Sequence, residues 1–169
     1  MIKETDFTYC PKCATKFNPI KGNALICPNC DLHYYINPKP ANALLLENEK
    51  GEILLVVRAY DPKKGMLDVP GGFVEVGESL EESLTRELQE ELGVELHDFT
   101  YVASCPDEYE HGGVSSRSLG ILFKATIPEG TELHPADDVE SYQWFRTDSI
   151  PYESIAFEGI RSLLKKLYS

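Results

Sequence analysis

Three glutamates, Glu87, Glu90 and Glu91, follow one another at helical spacing near the middle of the chain. At about 100° per residue, positions i, i+3 and i+4 share one face of a helix, so the three carboxylates project together. Carboxylates this close repel one another, and a bound cation would offset that cost. Oxygen ligands favour Mg²⁺ or Mn²⁺. The spacing therefore predicts a divalent metal site, and its alternative is a solvated acidic helix face.

A glycine pair, Gly71-Gly72, lies upstream of these carboxylates. Glycine lets the backbone approach a ligand closely, so a backbone carbonyl of this pair is expected to point at the same ion. Glu78 and Arg86 are expected to pair and to fix the loop against the helix. A glycine loop followed by an acidic helix face suits a metal-bridged phosphate group.

Four cysteines form two C-x2-C pairs, Cys10/Cys13 and Cys27/Cys30, separated by thirteen residues. Four thiolates at this spacing are typical of a closed, structural Zn²⁺ site. An arm of about 36 residues cannot bury enough apolar surface to fold alone, so the metal would stabilise it. The alternatives are four unconnected thiols or two redox pairs.

Sequence patterns also predict the elements that carry these residues. Ser79 and Glu82 form a capping box, leucines recur every four residues from Leu80 to Leu92, and Gly93 ends the helix. A second helix is predicted from Ile160, Leu163, Leu164 and Leu167. Extended segments are predicted at Ala41–Leu46, Ile53–Arg58, Phe73–Val76, Phe99–Ser104, Leu119–Ala125 and Tyr142–Phe145. The first two read as a hairpin, and the whole reads as α/β or α+β.

Composition restricts the possible partners. The 169 residues carry a formal net charge of −12. A surface this acidic is a poor match to a nucleic-acid backbone or an anionic membrane. The longest apolar runs, Ala43–Leu46 and Ile53–Val57, are too short to span a bilayer. The first residues lack an apolar signal region, so we expect a cytoplasmic protein.

One segment fits the pattern G-x(5)-E-x(7)-R-E-U-x-E-E-x-G-U, where U is aliphatic. It runs from Gly72 through Glu78 to Arg86-Glu87-Leu88-Gln89-Glu90-Glu91-Leu92-Gly93-Val94. This segment, residues 72–94, resembles the box of the Nudix hydrolase family. The resemblance implies a Nudix α/β/α sandwich over residues 37–169, preceded by a zinc ribbon over residues 1–36.

The resemblance also implies roles for individual residues. Glu87, Glu90 and Glu91 would hold Mg²⁺ or Mn²⁺ with help from the Gly72 carbonyl, and Glu78 and Arg86 would form a structural ion pair in the catalytic site. Glu90 is the first candidate for the general base and Glu87 the second. Asp138 falls where related enzymes often carry a further metal-binding acid. The reaction would be metal-dependent hydrolysis of a nucleoside diphosphate joined to another moiety.

A four-cysteine ribbon before a Nudix domain resembles the NADH pyrophosphatase branch. That branch carries an S-Q-P-W-P-F-P-x-S signature, of which only Ser104 and Pro106 remain here. ADP-ribose or another ADP-linked compound therefore stays open beside NADH. Tyr109 is a candidate for stacking on a base or a plain surface tyrosine, and Arg58 is a candidate phosphate ligand or an edge-strand charge.

Two further expectations follow from the resemblance. The alternative to an enzyme is a nucleotide-sensing regulator, although such domains can lose metal-binding glutamates and all three are present here. A homodimer is also expected from the family. The partner would be a small nucleotide, with nucleic acid limited to a capped RNA end.

Overall fold

The computed structural model describes residues 2–3 and 6–168. Its contacts divide the chain into two units, Met1–Pro38 with Glu108–Arg117 and Lys39–Asp107 with Ser118–Ser169. The ten residues 108–117 are thus grouped with the N-terminal segment, which the sequence did not indicate. A domain boundary after residue 36 stays a prediction.

The first unit is built around the four cysteines. Strand β1 (Ile2–Lys3) pairs in parallel with Val114–Ser115, and strands β2 (Ala24–Ile26) and β3 (His33–Tyr35) form an antiparallel pair. Its core is small and consists of Cys10, Phe17, Leu25 and Cys27. So few apolar side chains supply little burial free energy, which agrees with a need for a bound metal.

The second unit is a mixed sheet with two helices. Its elements are β4 (Lys39–Glu47), β5 (Ile53–Arg58), β6 (Leu67–Asp68), α1 (Leu80–Leu92), β7 (Thr100–His111) up to Asp107, β8 (Val114–Thr126) from Ser118, β9 (Val139–Phe145) and α2 (Glu158–Tyr168). Strands β7 and β8 pair and are joined by Gly112-Gly113, both at positive φ, as a tight hairpin turn requires.

Strand β4 has two different neighbours. It pairs in parallel with β8 along its whole length, and it meets β5 in antiparallel pairing only at Glu47 and Ile53. The predicted hairpin is therefore confirmed only beside its turn. Earlier in the strand, β4 bonds the glycine loop instead, since Leu44 N donates to Pro70 O and Asn42 N donates to Gly72 O.

Both faces of the sheet are buried, so its central strands are apolar at consecutive positions. On one face, Leu44, Leu46 and Leu54 pack with α1; on the other, Ala43, Leu45 and Leu55 pack with α2. Successive side chains of one strand thus pack into two different hydrophobic cores, one on each face of the sheet. This explains why apolar residues follow one another without alternating polar residues. The expected α/β/α sandwich is confirmed.

The capping and periodicity signals in the sequence predicted α1 correctly. Ser79 accepts the Glu82 amide and Glu82 accepts the Ser79 amide, while Gly93 closes the helix at φ 69°. Leu84, Leu88 and Leu92 are fully buried. Strands β7, β8 and β9 are each longer than predicted. Segment 73–76 forms only an isolated bridge between Phe73 and Ala41.

The short strands β2, β3 and β6 were not predicted, because two or three residues give no periodic signal. In the described part of the chain, neither α1 nor α2 is long and apolar enough to cross a membrane.

Candidate active site and metal centre

Arg86 lies at the centre of the acidic cluster. Its Nε and Nη2 donate to the two carboxylate oxygens of Glu78 at 2.7 and 3.1 Å. Its Nη1 donates to Glu87 and to Glu90, both at 2.9 Å, and Nη2 also reaches the Phe73 carbonyl. One guanidinium thus connects the loop to two of the three box glutamates. The predicted Glu78–Arg86 contact is present in the structure.

Hydrogen bonding from Arg86 lowers the pKa of Glu78 to about 2, and the same bond to Glu78 raises the pKa of Arg86. The pair stays ionised across the physiological range. This ion pair lies on the loop side of the cluster. The two parallel N–H groups of the arginine match the two carboxylate oxygens of Glu78.

Glu87 lies directly against Gly72. A Cβ at residue 72 would stand 2.5 Å from Glu87 Oε1, so a larger residue here would displace this carboxylate from the loop. Burial raises the pKa of Glu87. The Gly72 carbonyl, expected to point at an ion, accepts the Asn42 amide at 2.7 Å. One of its two lone pairs is therefore committed to β4, and its share in metal binding stays a prediction.

Glu91 is the buried member of the set, with 5% of its surface exposed. Its Oε2 accepts the Gly71 amide at 3.0 Å, which ties the glycine loop to the end of α1. Burial raises the pKa of Glu91 to about 8 despite this bond, and the charges of Glu87, Asp68 and Asp138 raise it further. At neutral pH the metal-free protein therefore holds a proton here.

Two aspartates that the sequence analysis passed over lie close enough to act on the glutamates electrostatically. Asp68 acts on Glu91 and Asp137 on Glu87. Asp68 is itself buried, and burial raises its pKa to about 6. Its only sequence signal was a charge beside the Val69-Pro70 segment. The predicted acid Asp138 is exposed, and its charge also acts on Glu91.

Arg58 has partners inside the fold. It donates from Nη1 to Asp68 at 3.2 Å and from Nε to the Pro62 carbonyl at 2.9 Å, and its guanidinium lies 5.1 Å from the Phe157 ring centre. These contacts use two of its N–H donors within the fold and give no support to a phosphate contact, which stays a prediction. Tyr109 lies half-buried in the first unit, and its stacking role stays a prediction as well.

The carboxylates have the composition of a hard-cation site. Arg86 supplies one positive charge against Glu78, Glu87 and Glu90, while burial first and the neighbouring carboxylates second raise the pKa of Glu91. Across the residues that the structure describes, the cysteine group is the one set of three or more potential ligands that is gathered around one point, and the carboxylates are not. The donor set fits a divalent ion, and binding would require Glu90 to share or leave its bond with Arg86.

The four cysteines do come together. Their sulfurs all lie within 4.8 Å of one another, and three of the six separations are 3.5 to 3.7 Å. Tetrahedral thiolates around Zn²⁺ at about 2.3 Å stand about 3.8 Å apart, so the spacing is compatible with a structural zinc. None is in a disulfide.

Both cysteine pairs share one turn geometry. Ala14 donates to Cys10 O and Asp31 to Cys27 O, and these two donors have positive φ values of 57° and 54°. Repetition of the same turn brings each pair of sulfurs back to one point, although the pairs lie far apart in sequence.

Comparisons with known proteins agree with this architecture. The NUDIX domain family model matches residues 37–167. The chain is 31% identical over 144 residues to the NAD-capped RNA hydrolase NudC of Pseudomonas aeruginosa, covering 85% of this chain and 49% of that protein. The chain spans about half the length of the curated relatives it matches.

Solved structures show the same fold. A NUDIX hydrolase from Nitrosomonas europaea superposes with a TM-score of 0.70 at 26% identity, covering 96% of this chain and 90% of that one. The NUDIX domain of Shewanella oneidensis NrtR, solved with ADP-ribose, superposes at 0.63 with 19% identity, over 79% of this chain and 88% of that one, which is a likeness of fold alone. With its box residues gathered on one helix and a family match over most of its length, this chain belongs to the Nudix family.

Proposed function

We propose that this chain hydrolyses the pyrophosphate bond of a nucleoside diphosphate joined to another moiety, with NADH and ADP-ribose as the first candidates. The observation that carries this proposal is the complete box, in which the glutamates of α1 are joined to the preceding loop by two contacts. Gly71 donates to Glu91, and Arg86 bonds Glu78 and Phe73 O of the loop as well as Glu87 and Glu90. The relative NudC, named for hydrolysis of NAD-capped RNA, supports an ADP-linked substrate.

Glu87, Glu90 and Glu91 would hold Mg²⁺ or Mn²⁺, with Asp138 as a further acid near Glu91. Such an ion supplies a Lewis acid that neutralises the diphosphate and lowers the pKa of a bound water. Glu78 and Arg86 keep the loop and helix in register, so the diphosphate meets carboxylates that are already oriented. Cys10, Cys13, Cys27 and Cys30 would hold one Zn²⁺ that stabilises the first unit.

Glu90 is the better placed of the two candidate bases. Its side chain is 47% exposed, whereas that of Glu87 is 13% exposed and lies against Gly72. A base must reach a water molecule, and Glu90 can leave Arg86 to do so. It would take one proton of the attacking water while the hydroxyl joins phosphorus and the anhydride oxygen departs with the second phosphate.

The test is a product-resolved panel of NADH, NAD⁺, ADP-ribose, diadenosine polyphosphates, nucleoside triphosphates and NAD-capped RNA, each with Mg²⁺ or Mn²⁺. Glu90→Gln is expected to lower kcat by at least about a hundredfold, the usual scale for a positioned catalytic group. Glu81→Gln is the matched control, because Glu81 is an exposed glutamate of the first turn of α1.

A wild-type rate for Glu90→Gln would show that Glu90 is not the general base, and Glu87→Gln would then be tested in the same way. If no compound is cleaved but one binds tightly, the chain is a nucleotide sensor and the proposal is wrong. Homodimer formation and a cytoplasmic location stay predictions, to be tested by light scattering and by fractionation.

A further inference from the structure

Asn42 is a buried polar residue in the middle of strand β4, with 4% of its surface exposed. The residues that follow it, Ala43–Leu46, are all apolar and buried. A side-chain amide in such surroundings costs free energy unless its polar atoms are bonded. Nothing in the proposed chemistry uses Asn42, so its presence calls for a separate explanation.

Two hydrogen bonds from Asn42 hold the two ends of the segment that leads into α1. Its backbone N–H donates to Gly72 O at 2.7 Å, and its side-chain Nδ2 donates to Leu80 O at 2.9 Å. Leu80 is the first residue of α1. The backbone of this residue thus holds the glycine loop, and its side chain holds the first turn of the helix that carries the carboxylates to the same point of the sheet.

The loop also lies directly on Asn42. A Cβ at Gly71 would collide with the Asn42 carbonyl, which places the two backbones in direct contact. On its other side the loop contacts the carboxylates, since Gly71 N donates to Glu91 and Gly72 stands against Glu87. A shift of the loop away from Asn42 would therefore move it relative to both glutamates.

Fold stability alone does not account for the amide. The side-chain Oδ1 of Asn42 is buried and has no hydrogen-bond partner among the described residues. An unpaired buried acceptor costs about 1–3 kcal/mol, a cost that an apolar side chain would avoid. The Leu80 carbonyl, for its part, already has its place in the hydrogen-bond ladder of the helix. The bond from Asn42 Nδ2 therefore orients the helix and is not needed to give the Leu80 carbonyl a hydrogen-bond partner.

We infer that Asn42 is a positioning residue of the Nudix site, setting the distance between the glycine loop and the carboxylates of α1. This inference rests on the proposed hydrolase function, because the distance matters only if a diphosphate and its ion must fit between them. Displacements of about 1 Å can cost a hundredfold in rate when reacting groups must be aligned.

The test uses the full chain with Asn42→Val, which suits a strand and has no polar atom to leave unpaired. Asn42→Ala is the second variant, in case the larger side chain disturbs the loop. We expect kcat to fall at least about tenfold, with KM changed less than about threefold and the unfolding midpoint close to that of the wild type. Mn²⁺ titration followed by the EPR signal of the free ion should show weaker binding.

Ser118→Ala is the matched control, because Ser118 is a buried polar residue on the adjacent strand β8 and its partner in register is Lys39, not Asn42. It should keep the wild-type kcat. If both Asn42 variants keep the wild-type kcat and Mn²⁺ affinity, or if Ser118→Ala loses as much, the inference is overturned. A wild-type protein that cleaves nothing would instead overturn the proposed function, so the two failures are distinguishable.

Discussion

Replacing Glu91 by glutamine is expected to stabilise the metal-free protein while destroying metal binding. Glutamine keeps an oxygen that can accept the Gly71 amide, and it removes a carboxylate that is 5% exposed. Burial raises the pKa of Glu91 from 4.5 to about 8. The folded state therefore favours the protonated form of Glu91. The contribution of this protonated carboxyl to the free energy of unfolding is complete below pH 4.5 and is lost as the pH rises toward 8.

The size of the effect follows from that shift. Each pH unit between 4.5 and 8 removes about 1.4 kcal/mol from the stability of the wild type, because the unfolded chain ionises and the folded chain does not. The Glu91→Gln variant does not lose this stability, because the glutamine side chain does not ionise. From pH 5.5 to pH 7.5 the stability of the variant relative to the wild type should therefore rise by about 3 kcal/mol.

The assay is urea unfolding at several pH values without added Mg²⁺ or Mn²⁺ and without a soluble chelator, which would also remove an ion from the cysteines. Trp144 is the only tryptophan and packs against the core around α1, so its fluorescence reports on the second unit. Asp68 titrates in both proteins and largely cancels. Glu90→Gln serves as the control, since Glu90 is half exposed and its replacement removes little burial. Parallel pH profiles for the wild type and Glu91→Gln would refute the reasoning.

Three further changes test other parts of the structure. Purified protein should contain about one zinc per chain by metal analysis, and Cys27→Ser should lose it together with the circular-dichroism signal of the arm; a folded, zinc-free arm would contradict this. Ser79→Ala should cost about 1 kcal/mol in urea unfolding, because the capping box is lost, and an unchanged midpoint would exclude that role. Arg86→Lys should lower kcat at least about tenfold in steady-state assays, because an ammonium cannot bond Glu78 and Phe73 O as the fork does; a wild-type rate would show that the fork is dispensable.

Much of the fold around α1 could be predicted from the sequence. The capping box, the leucine stripe and the glycine C-cap depend on residues within four positions of one another, so their geometry follows from the helix itself. Strand lengths and the short strand β6 could not be predicted, because their ends depend on partners far along the chain. The same is true of β4, which pairs with β5 at Glu47 but bonds the glycine loop at Asn42 and Leu44.

The candidate site divides in the same way. Spacing alone indicated that Glu87, Glu90 and Glu91 share a helix face and that Arg86 is near Glu78, eight residues away. It gave no sign that Arg58 would be held by Asp68 and Phe157. A buried aspartate beside an arginine reads in sequence as two unrelated charges, since burial is a property of the packed protein.

The sequence by itself determined which chemical groups this protein carries and, through helical periodicity, which of them face the same way. Only the tertiary structure decided that Glu91 is buried with a raised pKa, that Gly71 holds it, and that Asn42 holds the loop. The physical reason is that hydrogen bonds and desolvation act between atoms close in space. Residues 42, 71 and 91 meet only after the sheet has formed and α1 has packed on it.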